Sequence, residues 1–93
     1  MHVVDANVLL YAVNEDSPHH EAARTWLDEA LLGATTVALP WVVLLAFLRI
    51  STNPRILPAP LSLDDALDQL ERWAAAPAAR IVEPSPRHLS VLA

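Results

Sequence analysis

At 93 residues the chain is one domain at most, near the lower end of what buries a useful core. A hydrophobic fraction of 54% against 18% charged residues excludes disorder and suggests apolar surface to be covered by a partner chain or by more of the same fold. The net charge of −5, from eleven acids against six arginines and no lysine, excludes a protein that grips phosphate backbones by bulk charge. Contact with nucleic acid would need a few placed arginines or a bound metal. Cysteine is absent, which removes disulfides, thiolate metal sites and a cysteine nucleophile. The N-terminus has no basic region, and Asp5 interrupts its apolar run, so no signal peptide is read. The most apolar stretch, Val37 to Phe47, contains Pro40 and soon meets Arg49, which is too short and interrupted to span a bilayer. The expectation is a cytoplasmic protein with no membrane contact.

The opening MHVVDANVLLYAV reads as a buried strand, His2-Val3-Val4, that delivers Asp5 at its carboxyl tip before a turn into a helix. In open parallel sheets, ligands bind in the crevice beyond the carboxyl ends of the strands. An ionised Asp between two apolar segments is costly unless paired or bound to a cation. Asp5 is therefore a candidate site residue, and with equal local support an N-cap of the following helix.

Ser17-Pro18 next carries a helix-start signature, with Ser17 as N-cap and Pro18 at the first helical position. Ala23, Trp26, Leu27, Ala30 and Leu31 then mark one apolar face, and Gly33 sits where a C-terminal cap is wanted. Thr35 to Leu39 predicts a buried strand, and Pro40-Trp41 opens a third helix through Ile50 that is apolar nearly all round, as for a helix packed on both sides. Ser51 to Pro60 is a proline-rich, stiff connection. Ser62 starts a fourth helix with Asp65 as its capping partner, ended by Pro77. Ala79 to Glu83 reads as a third strand, and Pro86 reopens a fifth helical segment. The chain stops at Ala93 in mid-pattern, so the expectation is the N-terminal portion of a larger domain. Strands alternating with helices predict an α/β fold with a parallel sheet.

The residues V-V-D-A-N-V-L-L-Y-A-V, D-S-P-H-H-E-A-A-R-T-W-L, L-P-W-V-V-L-L-A-F-L-R-I-S-T-N-P-R-I, P-L-S-L-D-D-A-L and R-I-V-E-P, in that order, resemble the PIN-domain ribonucleases of the VapC toxin type. The resemblance covers essentially the whole chain. It implies a three-layer α/β/α parallel sheet with the first strand central, so that the sheet here should show an unfinished edge beside that strand. It further implies an acidic pocket in which three or four carboxylates hold one or two Mg²⁺ or Mn²⁺ ions, and a metal-activated water that attacks an RNA phosphodiester. Asp5 matches the first acid and metal ligand of that pocket, and Asn7 matches a polar position beside it. The second acid of the family would fall on Leu44 or Ala46, both apolar, and no Asp or Glu occurs between Glu29 and Asp64. The remaining acids would lie beyond Ala93. The expectation is a chain that is not a competent nuclease alone but belongs to a complete protein that is. The resemblance also implies a cognate antitoxin and homodimerisation through helical surfaces.

Arg49 and Arg55, flanking the proline-rich connection, are the candidates for RNA contact, although Arg49 could equally pair with a carboxylate of the fold. His19-His20 reads as a solvated first turn, and Trp26, Trp41 and Trp73 as core or dimer packing in preference to RNA stacking. Asp64, Asp65, Asp68 and Glu71 read as a solvated helix flank. The alternative function is a non-catalytic PIN-like module that binds antitoxin or its own kind. A phosphatase of the haloacid-dehalogenase type would need an Asp at position 7, where Asn7 stands.

Overall fold

The computed structural model describes residues 1–83. Its elements run β1 (His2–Val3), α1 (Ala6–Val13), α2 (His20–Leu32), β2 (Val37–Pro40), α3 (Trp41–Ser51), α4 (Leu63–Ala75) and β3 (Ala79–Val82). The strands form one parallel sheet in the order β1-β2-β3, with His2 opposite Val37 and Val37 opposite Ala79. Two helices follow each of the first two strands, the arrangement of a three-layer α/β/α fold. Residues 86–92, where the sequence predicts a fifth helical segment, lie outside the described residues.

The core gathers one face from each element. Val4, Val37, Leu39 and Ala79 come from the strands and their flanks, Leu9 from α1, Leu27 and Leu31 from α2, Leu44 and Phe47 from α3, and Ala66 and Trp73 from α4. The Phe47 and Trp73 rings meet edge to face at 5.1 Å, which locks α3 to α4. Strand β1 lies at one edge of the sheet among the described residues, with Met1 and Val3 exposed.

Several predicted boundaries shift, each for a local reason. Helix α2 starts at His20 and not at Ser17-Pro18. The Ser17 hydroxyl accepts from the His19 amide at 3.1 Å, and the Asn14, Ser17 and His19 carbonyls accept in a chain of turns. Ser17 thus caps a turn that precedes the helix. Gly33 does close α2, but with φ −82° and ψ −178° it is extended and makes no left-handed cap. Strand β2 begins two residues later than predicted and keeps Pro40 as its last residue.

Helix α3 departs most from expectation. Leu44, Phe47 and Ser51 are buried, whereas Trp41, Val42 and Leu45 are 40%, 65% and 57% exposed. The described residues therefore cover one side of it, not two. An unbroken apolar run carries no periodicity to say which side is covered. Helix α4 follows the sequence closely: the Ser62 hydroxyl accepts from the Asp65 amide at 3.1 Å, as its N-cap signature predicts.

Candidate active site at the carboxyl ends of the strands

Asp5 follows β1 directly. Its backbone is extended, with φ −83° and ψ 150°, and its Oδ1 accepts from the Asn7 amide at 3.0 Å. The Asp5 carbonyl accepts from the Val8 amide at 3.1 Å, which starts α1. The two local readings of Asp5 are thus compatible. One carboxylate oxygen caps the helix, and Oδ2 makes no hydrogen bond among the described residues. The Asp5 side chain is exposed on the rim of the sheet, and Asn7, whose backbone amide it engages, is exposed as well. A ligand approaching the carboxyl ends of the strands meets both.

Parallel register places the other strand ends on the same rim. The Val4 amide donates to the Ala38 carbonyl at 3.1 Å, which carries Asp5 level with the Leu39–Pro40 step. Pro40 is paired with Val82, so Trp41 and Glu83 each lie one residue beyond that row. The Trp41 indole N–H donates to Glu83 Oε1 at 3.1 Å, tying the start of α3 to the end of β3. In the sequence Glu83 is marked only as a strand end. A carboxylate closing a strand, as Asp5 does, was the signal that could have marked it.

The remaining sequence candidates are not gathered at this rim. Leu44, one of the two positions for a second acid, is 5% exposed and packs in the core, and Ala46 is half-buried. Arg49 is exposed in the last turn of α3, eight residues or about 12 Å along the helix from Trp41. Arg55 is exposed in the proline-rich connection, its amide donating to Asn53 Oδ1 at 2.9 Å. Neither guanidinium is hydrogen-bonded or ion-paired among the described residues. His20 contacts the Tyr11 carbonyl through Nδ1 at 2.9 Å, while His19 packs against the Tyr11 ring at 4.9 Å. The histidine pair therefore serves the α1–α2 turn.

Among the described residues no group of three or more His, Asp or Glu side chains converges to hold a metal. What Asp5 offers is one hard anionic oxygen beside an amide. That fits a Mg²⁺-like ion in kind, because Mg²⁺ is bound through one or two carboxylates, several waters and substrate phosphate. In number it is a single oxygen, fewer than such an ion takes.

The family model described as PIN domain matches residues 2–93. The chain belongs to the PIN-domain family. It is 50% identical over 93 residues to Ribonuclease VapC37 of Mycobacterium tuberculosis, covering 100% of this chain and 65% of that protein. It is 37% identical over 91 residues to Ribonuclease VapC33 of the same species (98% and 64% covered) and 38% identical over 92 residues to Ribonuclease VapC31 (99% and 65%). The chain thus spans slightly less than two thirds of the length of these relatives.

Proposed function

We propose that this chain carries the first part of the active site of a metal-dependent endoribonuclease toxin of a VapBC-type toxin–antitoxin system. The observation that carries the reading is Asp5, a carboxylate with an unengaged oxygen at the carboxyl rim of a parallel sheet, in a chain half identical to a protein named as a ribonuclease. Asp5 would hold a Mg²⁺ or Mn²⁺ ion through Oδ2 while Oδ1 stays on the Asn7 amide, so that the helix cap fixes the ligand's orientation. The Asn7 side-chain amide would hydrogen-bond the carboxylate or a water beside it. When bound, the ion supplies Lewis acidity that activates water and neutralises charge on the RNA phosphodiester. Arg49 and Arg55 would contact phosphates of the same RNA away from the cut, as point contacts on an otherwise acidic protein.

The other members of the pocket would come from the region equivalent to the remaining third of the relatives. A chain extended to that length is expected to cleave single-stranded RNA in Mg²⁺ or Mn²⁺, and to lose cleavage on chelation. The 93-residue chain is expected to be inactive. A cognate antitoxin would silence the enzyme in the cytoplasm, and the exposed Val42 and Leu45 of α3 would meet a second copy.

A second reading is favoured by one observation, the apolar residues at both positions for the second acid, with Leu44 sealed in the core. On that reading the protein is a PIN-like module that binds antitoxin or itself without cutting RNA. Metal-dependent cleavage by the extended chain separates the two: absence of cleavage, with antitoxin binding retained, establishes the module.

A further inference from the structure

The carboxyl rim holds a second constellation that the metal site does not use. Trp41 and Glu83 lie 42 residues apart in sequence, and the indole N–H reaches the carboxylate at 3.1 Å although both residues are exposed. We infer that Trp41 is a stacking platform for an RNA base adjoining the phosphate held at Asp5, and that Glu83 is the residue that positions its ring. The inference rests on the RNA-cleaving reading above.

Three observations support it. The first is place. Pro40 is level with Asp5 on the neighbouring strand, about 4.8 Å away across the sheet, and Trp41 is the next residue. Of the other two tryptophans, Trp73 is 6% exposed against Phe47, and Trp26 packs on His2 at the opposite, amino end of the strands. Trp41 alone is an exposed indole at the site.

The second is orientation. With its only polar atom already engaged by Glu83, Trp41 has no further hydrogen bond to offer, and its remaining accessible surface is apolar and aromatic. Such a ring recognises another flat π-system. Stacking of bases on aromatic side chains is a recurrent means of binding single-stranded nucleic acid and tolerates any base.

The third is charge. Asp5 lies on one side of Trp41 and Glu83 on the other, so among the described residues neither neighbour on the rim is a cation that would invite a phosphate to the indole. A neutral base fits there, with the attached phosphate drawn towards a metal at Asp5. An acidic protein can in this way hold RNA locally without a basic surface.

The test is binding of a short single-stranded RNA, followed by anisotropy in Mg²⁺, to the 93-residue chain with Asp5 intact, which is expected not to cleave. Trp41→Ala is expected to weaken binding about tenfold, and Trp41→Phe, which keeps an aromatic face, by no more than about threefold. Glu83→Ala is expected to weaken binding several-fold, while Glu83→Gln restores it, because the Gln carbonyl can still accept from the indole. Circular dichroism and sedimentation on each variant report folding and oligomeric state. Equal binding by Trp41→Ala overturns the inference, and so does a loss of binding that appears only together with dissociation of a dimer. If the parent protein binds no RNA and the extended chain cuts none, the functional reading fails as well. If the parent binds and Trp41→Ala binds equally, this inference alone fails.

Discussion

Two short segments of this protein build the same local geometry and put it to different use. At the opening, Asp5 Oδ1 accepts from the amide two residues on, Asn7, at 3.0 Å. After α3, Asn53 Oδ1 accepts from the amide two residues on, Arg55, at 2.9 Å. Both are turns that Asp and Asn close through a side-chain oxygen. Around Asn53 the neighbouring bonds all serve the chain. Thr52 Oγ1 donates to the Leu48 carbonyl at 2.7 Å, the Leu57 amide donates to the Asn53 carbonyl at 3.1 Å, and the Leu61 amide donates to the Ser51 carbonyl at 2.8 Å. That segment terminates a helix and orders a proline-rich connection. Asp5 makes the same turn with charge and an oxygen to spare, on an exposed rim. That surplus beyond the cap is the ground on which a functional role is proposed for Asp5.

The largest effect expected from probing this contrast concerns the missing second acid. Leu44→Glu would bury a charge without a partner at a core position, and is expected to abolish cooperative thermal unfolding, a loss of several kcal/mol. Ala46→Glu, at a half-buried position, is expected to fold. If Leu44→Glu folded as well as Ala46→Glu, the packing of α3 described above would be wrong.

The turn after α3 should respond only as structure. Asn53→Ala removes a turn acceptor and is expected to cost about 1 kcal/mol in denaturant unfolding. Asn53→Asp keeps the acceptor and should lie within about 0.5 kcal/mol of the parent, with RNA cleavage by the extended chain unchanged. A larger loss of cleavage than of stability in Asn53→Asp would give this turn a functional role as well.

The smallest effect is at Ser51, which is 0% exposed with an Oγ that finds no hydrogen-bond partner among the described residues. Ser51→Ala removes an unsatisfied hydroxyl and is expected to leave stability unchanged or raise it by about 1 kcal/mol. A destabilisation of that size instead would mean that the hydroxyl has a partner, such as a buried water.

The elements that the sequence shows most clearly are those whose signals are local. Ser62 and the spacing of Ala66, Leu70 and Trp73 mark α4, and Ser62 does cap it. Asp5 is legible for the same reason, because strand tip, turn and helix start fall within a few residues. At α2 the local signal misleads, since Ser17 finds its acceptor role in the preceding turn. The covered side of α3 is invisible in a run of apolar residues and is decided by contacts with α1 and α4. The Trp41–Glu83 contact joins the ends of two strands, and no local pattern announces a pair so far apart in sequence. The candidate site was therefore legible at Asp5 and illegible where tertiary register brings Trp41 and Glu83 together.

The central claim is that Asp5 does more than cap a helix, and one pair of substitutions in the extended chain tests it. Asn is as good an N-cap as Asp, whereas Ala lacks the acceptor and costs about 1 kcal/mol. Metal-dependent cleavage of single-stranded RNA should therefore be measured beside thermal stability for the parent, Asp5→Asn and Asp5→Ala. Asp5→Asn is expected to keep the parent's stability and lose cleavage, while Asp5→Ala is expected to lose both. Cleavage by Asp5→Asn at the parent's rate would contradict it and return Asp5 to the role of a helix cap.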